Sequence, residues 1–232
     1  MSIYAISDLH LPGNNDKPMD IFGVHWKGHF ENICNAWCES VTDNDTVILC
    51  GDFCWAMRLE EALDDLRALG ELPGTKVLIR GNHDYWWSTI SKMRQLVDKS
   101  IVFIQNDSFE TDDAIICGSR GWPSPGSSEY SAHDEKIYKR ELIRLELSIE
   151  SVKSEKPKIL LLHYPPFYFN GSGKFCETEF TRFIEKSEIK TVLFGNIHRP
   201  SQHPLCVIHN DVSYHLTSCD MMGFKMKKID IE

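Results

Sequence analysis

Val77-Leu78-Ile79-Arg80-Gly81-Asn82-His83-Asp84 sets an apolar run directly against four residues that turn the chain, accept protons or bind cations. Val77-Leu78-Ile79 has the composition of a strand covered on both faces. An ordinary turn asks for Gly, Asn or Asp, but not for His among them. The four residues therefore read as a functional loop at the C-terminal end of a buried strand, Lys76–Arg80.

The same arrangement recurs on either side of this stretch. A strand from Ser2 to Ser7 gives way to Asp8-Leu9-His10, and Thr46–Cys50 gives way to Gly51-Asp52. Downstream, Lys158–His163 ends on His163, and Thr191–Gly195 is followed by Asn196-Ile197-His198. Each piece alone has an ordinary reading: Asp8 as a helix cap, Gly51-Asp52 as a turn, His163 as a hydrogen-bonded core histidine, His198 as a loop residue. Five sets of metal-ligand residue types, all at strand ends, read instead as one joint site.

Further strands are expected at Ile101–Gln105, Ala114–Gly118, Leu205–His209 and Val212–Ser218, the last two as a hairpin around Asn210-Asp211. Helical stripes lie between the strands. Phe30, Ile33, Cys34, Trp37 and Val41 form one; Leu59, Ala62, Leu63, Leu66 and Leu69 form another, ended by Gly70. A third runs from Trp87 to Val97. The longest runs from Asp134 to Ser154, behind a Ser131–Asp134 pair that resembles a capping box. A fifth runs from Glu177 to Lys186. Strand–helix alternation predicts an α/β fold, a single domain over residues 1–232. Ligands in such folds bind at the carboxyl ends of the strands, which is where the five polar sets fall.

The chain is 42% hydrophobic and 25% charged, as globular proteins are, and its net charge of −9 argues against a broad nucleic-acid-binding surface. No apolar stretch is long enough to cross a membrane. The first strand runs straight into Asp8, so no cleaved leader is expected, and a cytoplasmic location is. The eight cysteines include no C-x-x-C pair and are expected to be buried or partly buried free thiols. The alternative is a structural zinc site on Cys34, Cys38, Cys50 and Cys54.

Taken in order, Asp8-Leu9-His10, Gly51-Asp52, Gly81-Asn82-His83-Asp84, His163 and Gly195-Asn196-Ile197-His198 resemble the motifs of the calcineurin-like metallophosphoesterases. That family shows D-x-H, G-D, G-N-H-[DE], a His after a strand, and G-H-x-H. The longer second motif of its protein Ser/Thr phosphatases, with Asp-Arg-Gly, is replaced here by Gly51-Asp52-Phe53-Cys54-Trp55-Ala56. The resemblance implies a four-layer α/β/β/α sandwich of two mixed sheets. It also implies two divalent or trivalent metal ions, manganese, iron or zinc. One would be held by Asp8, His10 and His198, the other by Asn82 and His163, with Asp52 as the bridge. His83 would stand at the substrate phosphate, and Asp52, Asn82 and His83 would form the catalytic set.

One position departs from the pattern: Asn196 stands where the family carries the first His of G-H-x-H. An amide oxygen is neutral and harder than imidazole, and suits manganese or magnesium better than zinc. Asn196 is thus a candidate ligand in a second site expected to be weaker or differently selective.

The implied chemistry explains the residue types. A phosphoester's oxygens repel an attacking hydroxide; two cations about 3.5–4 Å apart offset that repulsion and lower the pKa of a water bridging them. His83 is expected to stabilise the phosphoryl oxygens or protonate the leaving group, with Asp84 orienting it or serving as a cap. His10, His163 and His198 are each expected to give a second ring nitrogen to an acceptor. Arg120, Trp122 and His133 are the candidate substrate contacts, and Tyr85, Trp86 and Trp87 border the site. The expected partner is a phosphorylated small molecule or nucleotide, which the negative net charge does not exclude because bound cations reverse the local field. The competing reading is a catalytically weak protein of the same fold used as a protein-binding scaffold, to which Asn196 gives a foothold. A nucleotide-binding Rossmann fold lacks its Gly-rich loop, since Asp8-Leu9-His10-Leu11-Pro12 follows the first strand.

Overall fold

The computed structural model describes residues 1–13 and 18–231. The first sheet holds β1 (Ile3–Ala5), β2 (Thr46–Leu49), β3 (Thr75–Leu78) and β4 (Ile101–Phe103), all parallel, with antiparallel β13 (Lys227–Ile229) on the β1 edge. In the second, β6 (Ile115–Ser119), β7 (Lys158–Leu162), β10 (Thr191–Phe194) and β12 (Val212–Leu216) run parallel. Antiparallel β5 (Ser108–Glu110) and β11 (Cys206–His209) close its two edges. A separate hairpin pairs β8 (Tyr168–Phe169) with β9 (Phe175–Cys176).

Side-chain alternation stacks these sheets into four layers. Val47 and Leu49 of β2 pack under α1 (His29–Ser40), α2 (Leu59–Glu71) and α3 (Ile90–Leu96), in one core with Ile33, Trp37, Leu66 and Met93. Leu160 and Leu162 of β7 pack under α4 (Glu135–Glu150) and α5 (Glu179–Lys186), with Tyr138, Leu145, Phe180 and Ile184. The opposite faces, Ile48 of β2 with Cys50 just beyond it and Ile159 and Leu161 from β7, meet in a third core between the sheets. That is why these strands read as unbroken apolar runs: both faces are covered. Ser7 joins the two sheets behind the site. It bridges to Ser218, its Oγ lies 2.8 Å from Thr217 Oγ1, and the Cys50 N–H donates to that Oγ at 2.7 Å.

The differences from the sequence reading sit at edges and ends. The edge strands β5 and β13 carry Ser-Phe-Glu and Lys-Lys-Ile, too polar to register as apolar runs. The first strand stops at Ala5 rather than Ser7, because Ser7 leaves the first sheet to pair with Thr217–Cys219 beyond β12. The third helix begins at Ile90 rather than Trp87: Trp86 and Trp87 are buried beforehand, their indole N–H groups on Asp84 and Gln105. Tyr85 is exposed. The long helix ends at Glu150, and Asp134 stands before its first turn, accepting from the Ser131 N–H and hydroxyl at 2.8 and 2.6 Å. Asn210 and Asp211, both left-handed, make the expected turn between β11 and β12.

All eight cysteines are free thiols, although Cys38 and Cys206 are exposed rather than buried. Among the described residues no cysteine joins a converging group of potential ligands, so the Cys34, Cys38, Cys50, Cys54 zinc alternative has no geometry behind it. Among the described residues no helix is long and apolar enough to cross a membrane.

Candidate metal centre

Parallel strands deliver the loops after β1, β2, β3, β7 and β10 to one edge of the sandwich, and the loops interlock there. The Asp8 N–H donates to the Gly51 carbonyl at 3.0 Å, the His10 N–H to the Asp52 carbonyl at 3.1 Å, and the Gly195 N–H to the His163 carbonyl at 3.1 Å. Asp8, His10, Asp52 and Asn196 all adopt left-handed backbone, with φ of 59°, 47°, 52° and 66°. That conformation is costly for side chains with a Cβ, tolerated best by Asn, Asp and His, and tends to collect at functional sites. The loops also press together tightly: a Cβ on Gly81 would overlap the Asp52 carboxylate, and one on Gly195 the Asp8 carboxylate.

The side chains converge as two groups that share Asp8: Asp8, His10 and His198, and Asp8, Asp52 and His163, with ligand atoms within 4.8 Å of one another in each. Asp52 Oδ2, in the second group, lies 3.6 Å from His163 Nε2 and also 3.8 Å from His10 Nε2 of the first. His163 Nε2 also lies 2.5 Å from Asn82 Oδ1, which joins Asn82 to the second group. Asn196 contributes its backbone: its N–H donates to Asp8 Oδ1 at 3.0 Å. His83 belongs to neither group. Its N–H donates to Asp52 Oδ1 at 2.8 Å, and its ring lies 5.8 Å from that of His10.

Of the three histidines, two have the expected second partner. His163 Nδ1 lies 2.8 Å from the Cys50 carbonyl and His198 Nδ1 2.9 Å from Asp220 Oδ1. His10 does not: its buried Nδ1 has no hydrogen-bond partner among the described residues. Its ring is held instead by Trp55, stacked at 4.7 Å and 22°, and by the edge of Trp26 at 6.1 Å. Asp84 is a tie between loops. Its carboxylate accepts from the N–H groups of Gly81, Asp52 and Phe53 and the Trp86 indole, at 2.7 to 3.0 Å.

The donor set fits cations. Asp52 Oδ2 is buried without a hydrogen-bond partner among the described residues, facing the imidazoles of both groups. A buried, unsatisfied carboxylate oxygen is expensive, and a cation satisfies it. Burial pushes Asp8 and Asp84 up to about 6 and Asp52 to about 7. Burial drives His10 and His163 down, which keeps their rings neutral and able to coordinate. His198 is raised: burial opposes its charge, but the Asp220 hydrogen bond and the charges of Asp8, Asp220 and Asp52 outweigh it.

The expected substrate contacts divide. The Arg120 guanidinium is largely buried, 3.6 Å from Glu141 of α4 and 4.4 Å over the Trp122 ring. Its carbonyl accepts the N–H of His163 at 3.0 Å, and its charge acts on Asp52. Trp122 is committed to structure, its indole donating to Asp134 at 2.8 Å and its ring against Tyr164. His133 is exposed in the turn before α4. A cavity of about 620 Å3 opens beside the centre, reached through Tyr164, Asn196 and Ile197. Sequence reading missed Asp220, Ser218, Trp26 and Trp55. Ser218 Oγ donates to Asp8 Oδ2 at 2.9 Å, and Asp220 stands just past the last parallel strand. That acid at a further strand end was the available signal.

A search of curated proteins finds no match. Among solved structures, the phosphopantetheinyl hydrolase of Mycobacterium tuberculosis superposes with a TM-score of 0.58 at 15% identity, over 98% of this chain and 95% of that one. A protein of unknown function from Aquifex aeolicus gives 0.54 at 16% identity, with the same coverage. Both likenesses are of fold. The sequence model of the calcineurin-like phosphoesterases matches residues 1–200, a span that holds every strand-end motif from Asp8 to His198. The chain belongs to the calcineurin-like phosphoesterase family.

Proposed function

We propose that the chain hydrolyses a phosphoric mono- or diester at a centre of two divalent cations held by Asp8, His10, Asp52, Asn82, His163, Asn196 and His198. The observation that carries this reading is Asp52 Oδ2, buried without a hydrogen-bond partner among the described residues and facing His10 of the first group and His163 of its own. When bound, the cations neutralise the phosphoryl oxygens and make hydroxide available near neutral pH.

The chain's own groups do the rest. The His83 N–H on Oδ1 fixes Asp52 and leaves Oδ2 facing both groups, where it would hold the cations. Asp8 is fixed by the Asn196 N–H and by Ser218. The Cys50 carbonyl and Asp220 set the tautomers of His163 and His198, leaving Nε2 of each directed inward. His83, half-exposed beside the centre, meets the phosphate or gives the leaving oxygen its proton. Arg120, paired with Glu141, adds positive potential beside Asp52.

The test is hydrolysis of p-nitrophenyl phosphate and its bis-ester with added manganese, alongside metal analysis of the same preparation. Cleavage that disappears on chelation and returns with metal is expected. No cleavage of either ester with any divalent metal would sink the proposal. The name of the Mycobacterium tuberculosis neighbour makes phosphopantetheinyl compounds a sensible third substrate.

A further inference from the structure

The cavity of about 620 Å3 beside the centre is large enough for a small organic ligand and has an uneven chemistry. Tyr164 and Ile197, chain neighbours of His163 and His198, form its inner end. The loop from Pro123 to Glu129 forms one wall, and the β8–β9 hairpin, with Tyr168 and Phe169, the other. Phe167 and His203 complete the aromatic lining, and burial keeps His203 below its ordinary pKa and therefore neutral.

Charge is what distinguishes this cavity. No lysine or arginine is among its described lining residues, and Glu129 is the one charged side chain among them. The arginines near the centre line other cavities: Arg80, Arg120 and Arg144 a smaller one of about 160 Å3 together with Glu141, and Arg199 a third that shares His203 with this one. A second phosphate entering the large cavity would thus meet a carboxylate and aromatic rings, with no counter-charge, in a chain of net charge −9. An uncharged chain would instead bury its apolar surface on the rings. Ser128 and Asn170, both exposed in the lining, offer a hydroxyl and an amide to polar groups along such a chain.

We infer that this cavity holds the leaving group, and that the substrate is a phosphoester of an elongated, uncharged organic alcohol bearing hydrogen-bonding groups. A nucleoside polyphosphate does not fit this chemistry. The inference rests on the proposed hydrolysis. In that reaction water's oxygen bonds to phosphorus and the bond from phosphorus to the leaving oxygen breaks. One water proton ends on the leaving alcohol and the other stays with the phosphate or solvent.

The experiment compares methyl, hexyl and N-acetylaminohexyl phosphate with ADP on the manganese-loaded protein. Expected is a kcat/KM that rises with the chain by about tenfold or more from methyl to N-acetylaminohexyl phosphate, with ADP cleaved least. S127W should collapse the ratio of long-chain to methyl ester toward one. E129K should raise ADP cleavage relative to the long-chain ester. Cleavage of methyl phosphate with no dependence on the chain, or a preference for ADP, overturns the inference and leaves the hydrolase reading standing. Ratios unmoved in both variants overturn it likewise. Failure to cleave any ester with any divalent metal removes both.

Discussion

Asp220 Oδ1 lies 2.9 Å from His198 Nδ1, and its other oxygen accepts the Arg199 N–H at 2.9 Å. One buried carboxylate therefore fixes both the tautomer and the backbone position of a candidate ligand that follows a different strand. Against the effect of its own burial, the His198 hydrogen bond holds the Asp220 carboxyl below the usual range. D220N keeps the shape, removes the charge and leaves His198 less basic. Metal affinity should fall by about 10–100-fold, as for other partners of metal-bound histidines. Manganese titration of the metal-free protein measures this, and equal affinity in D220N would remove Asp220 from the centre.

The carboxylates make metal binding a pH-dependent event. Burial raises Asp8 to about 6 and Asp52 to about 7, from 3.8. Between those limits the folded metal-free chain keeps protons that the unfolded chain has released. These two groups therefore cost the metal-free fold stability increasingly as pH rises through that window. His10 and His163, lowered by burial, act in the opposite sense below 6.5. Cations displace the carboxylate protons, so binding strengthens toward neutral pH. The gap in melting temperature between manganese-loaded and chelated protein should be wider at about pH 7.5 than at about pH 5. A constant gap would mean that neither carboxylate is a ligand.

Much of this site was legible because the candidate ligands are strand-end residues. Asp8, Asp52, Asn82, His163 and His198 each follow an apolar run, and parallel strands deliver such positions to one edge. What escaped depends on contacts between distant parts of the chain. Trp55 gives no local sign that it stacks on His10, from which it is separated by an entire helix and strand. Arg120 gives no local sign that α4 brings Glu141 against it. Asp220 escaped because it follows the end of β12 at Leu216 only after an intervening turn, and no local pattern ties it to His198. The edge strands β5 and β13 were missed because an edge tolerates polar residues that a central strand does not.

Asn196 supplies a test of the second group. Its left-handed φ of 66° is one that His10 also adopts, so the backbone accepts imidazole at this position. Its N–H on Asp8 is independent of the side chain. N196H should therefore fold normally, bind the second cation more tightly, and shift its preference toward zinc. Competition between manganese and zinc, followed by metal analysis, reads the change. An unaltered titration would mean that residue 196 does not reach the metal.

Trp55 makes the sharpest case for packing as a determinant of metal affinity. His163 and His198 are aimed by Nδ1 hydrogen bonds to Cys50 and Asp220, whereas His10 Nδ1 has no hydrogen-bond partner among the described residues and its ring is flanked by Trp55 and Trp26. Stacking of this kind contributes about 0.5–1.5 kcal/mol, which corresponds to about tenfold in affinity at its upper end. W55A should weaken metal binding by up to about that factor, and W55F should restore most of it. The Trp55 ring also lies 4.6 Å from that of His83, so kcat should fall in W55A even at saturating metal. Loss of activity with metal affinity intact would place Trp55 with His83 alone. Loss of affinity in W55A that W55F fails to rescue would point to the indole N–H, which donates to Met19 Sδ at 3.2 Å, rather than to the stacked ring.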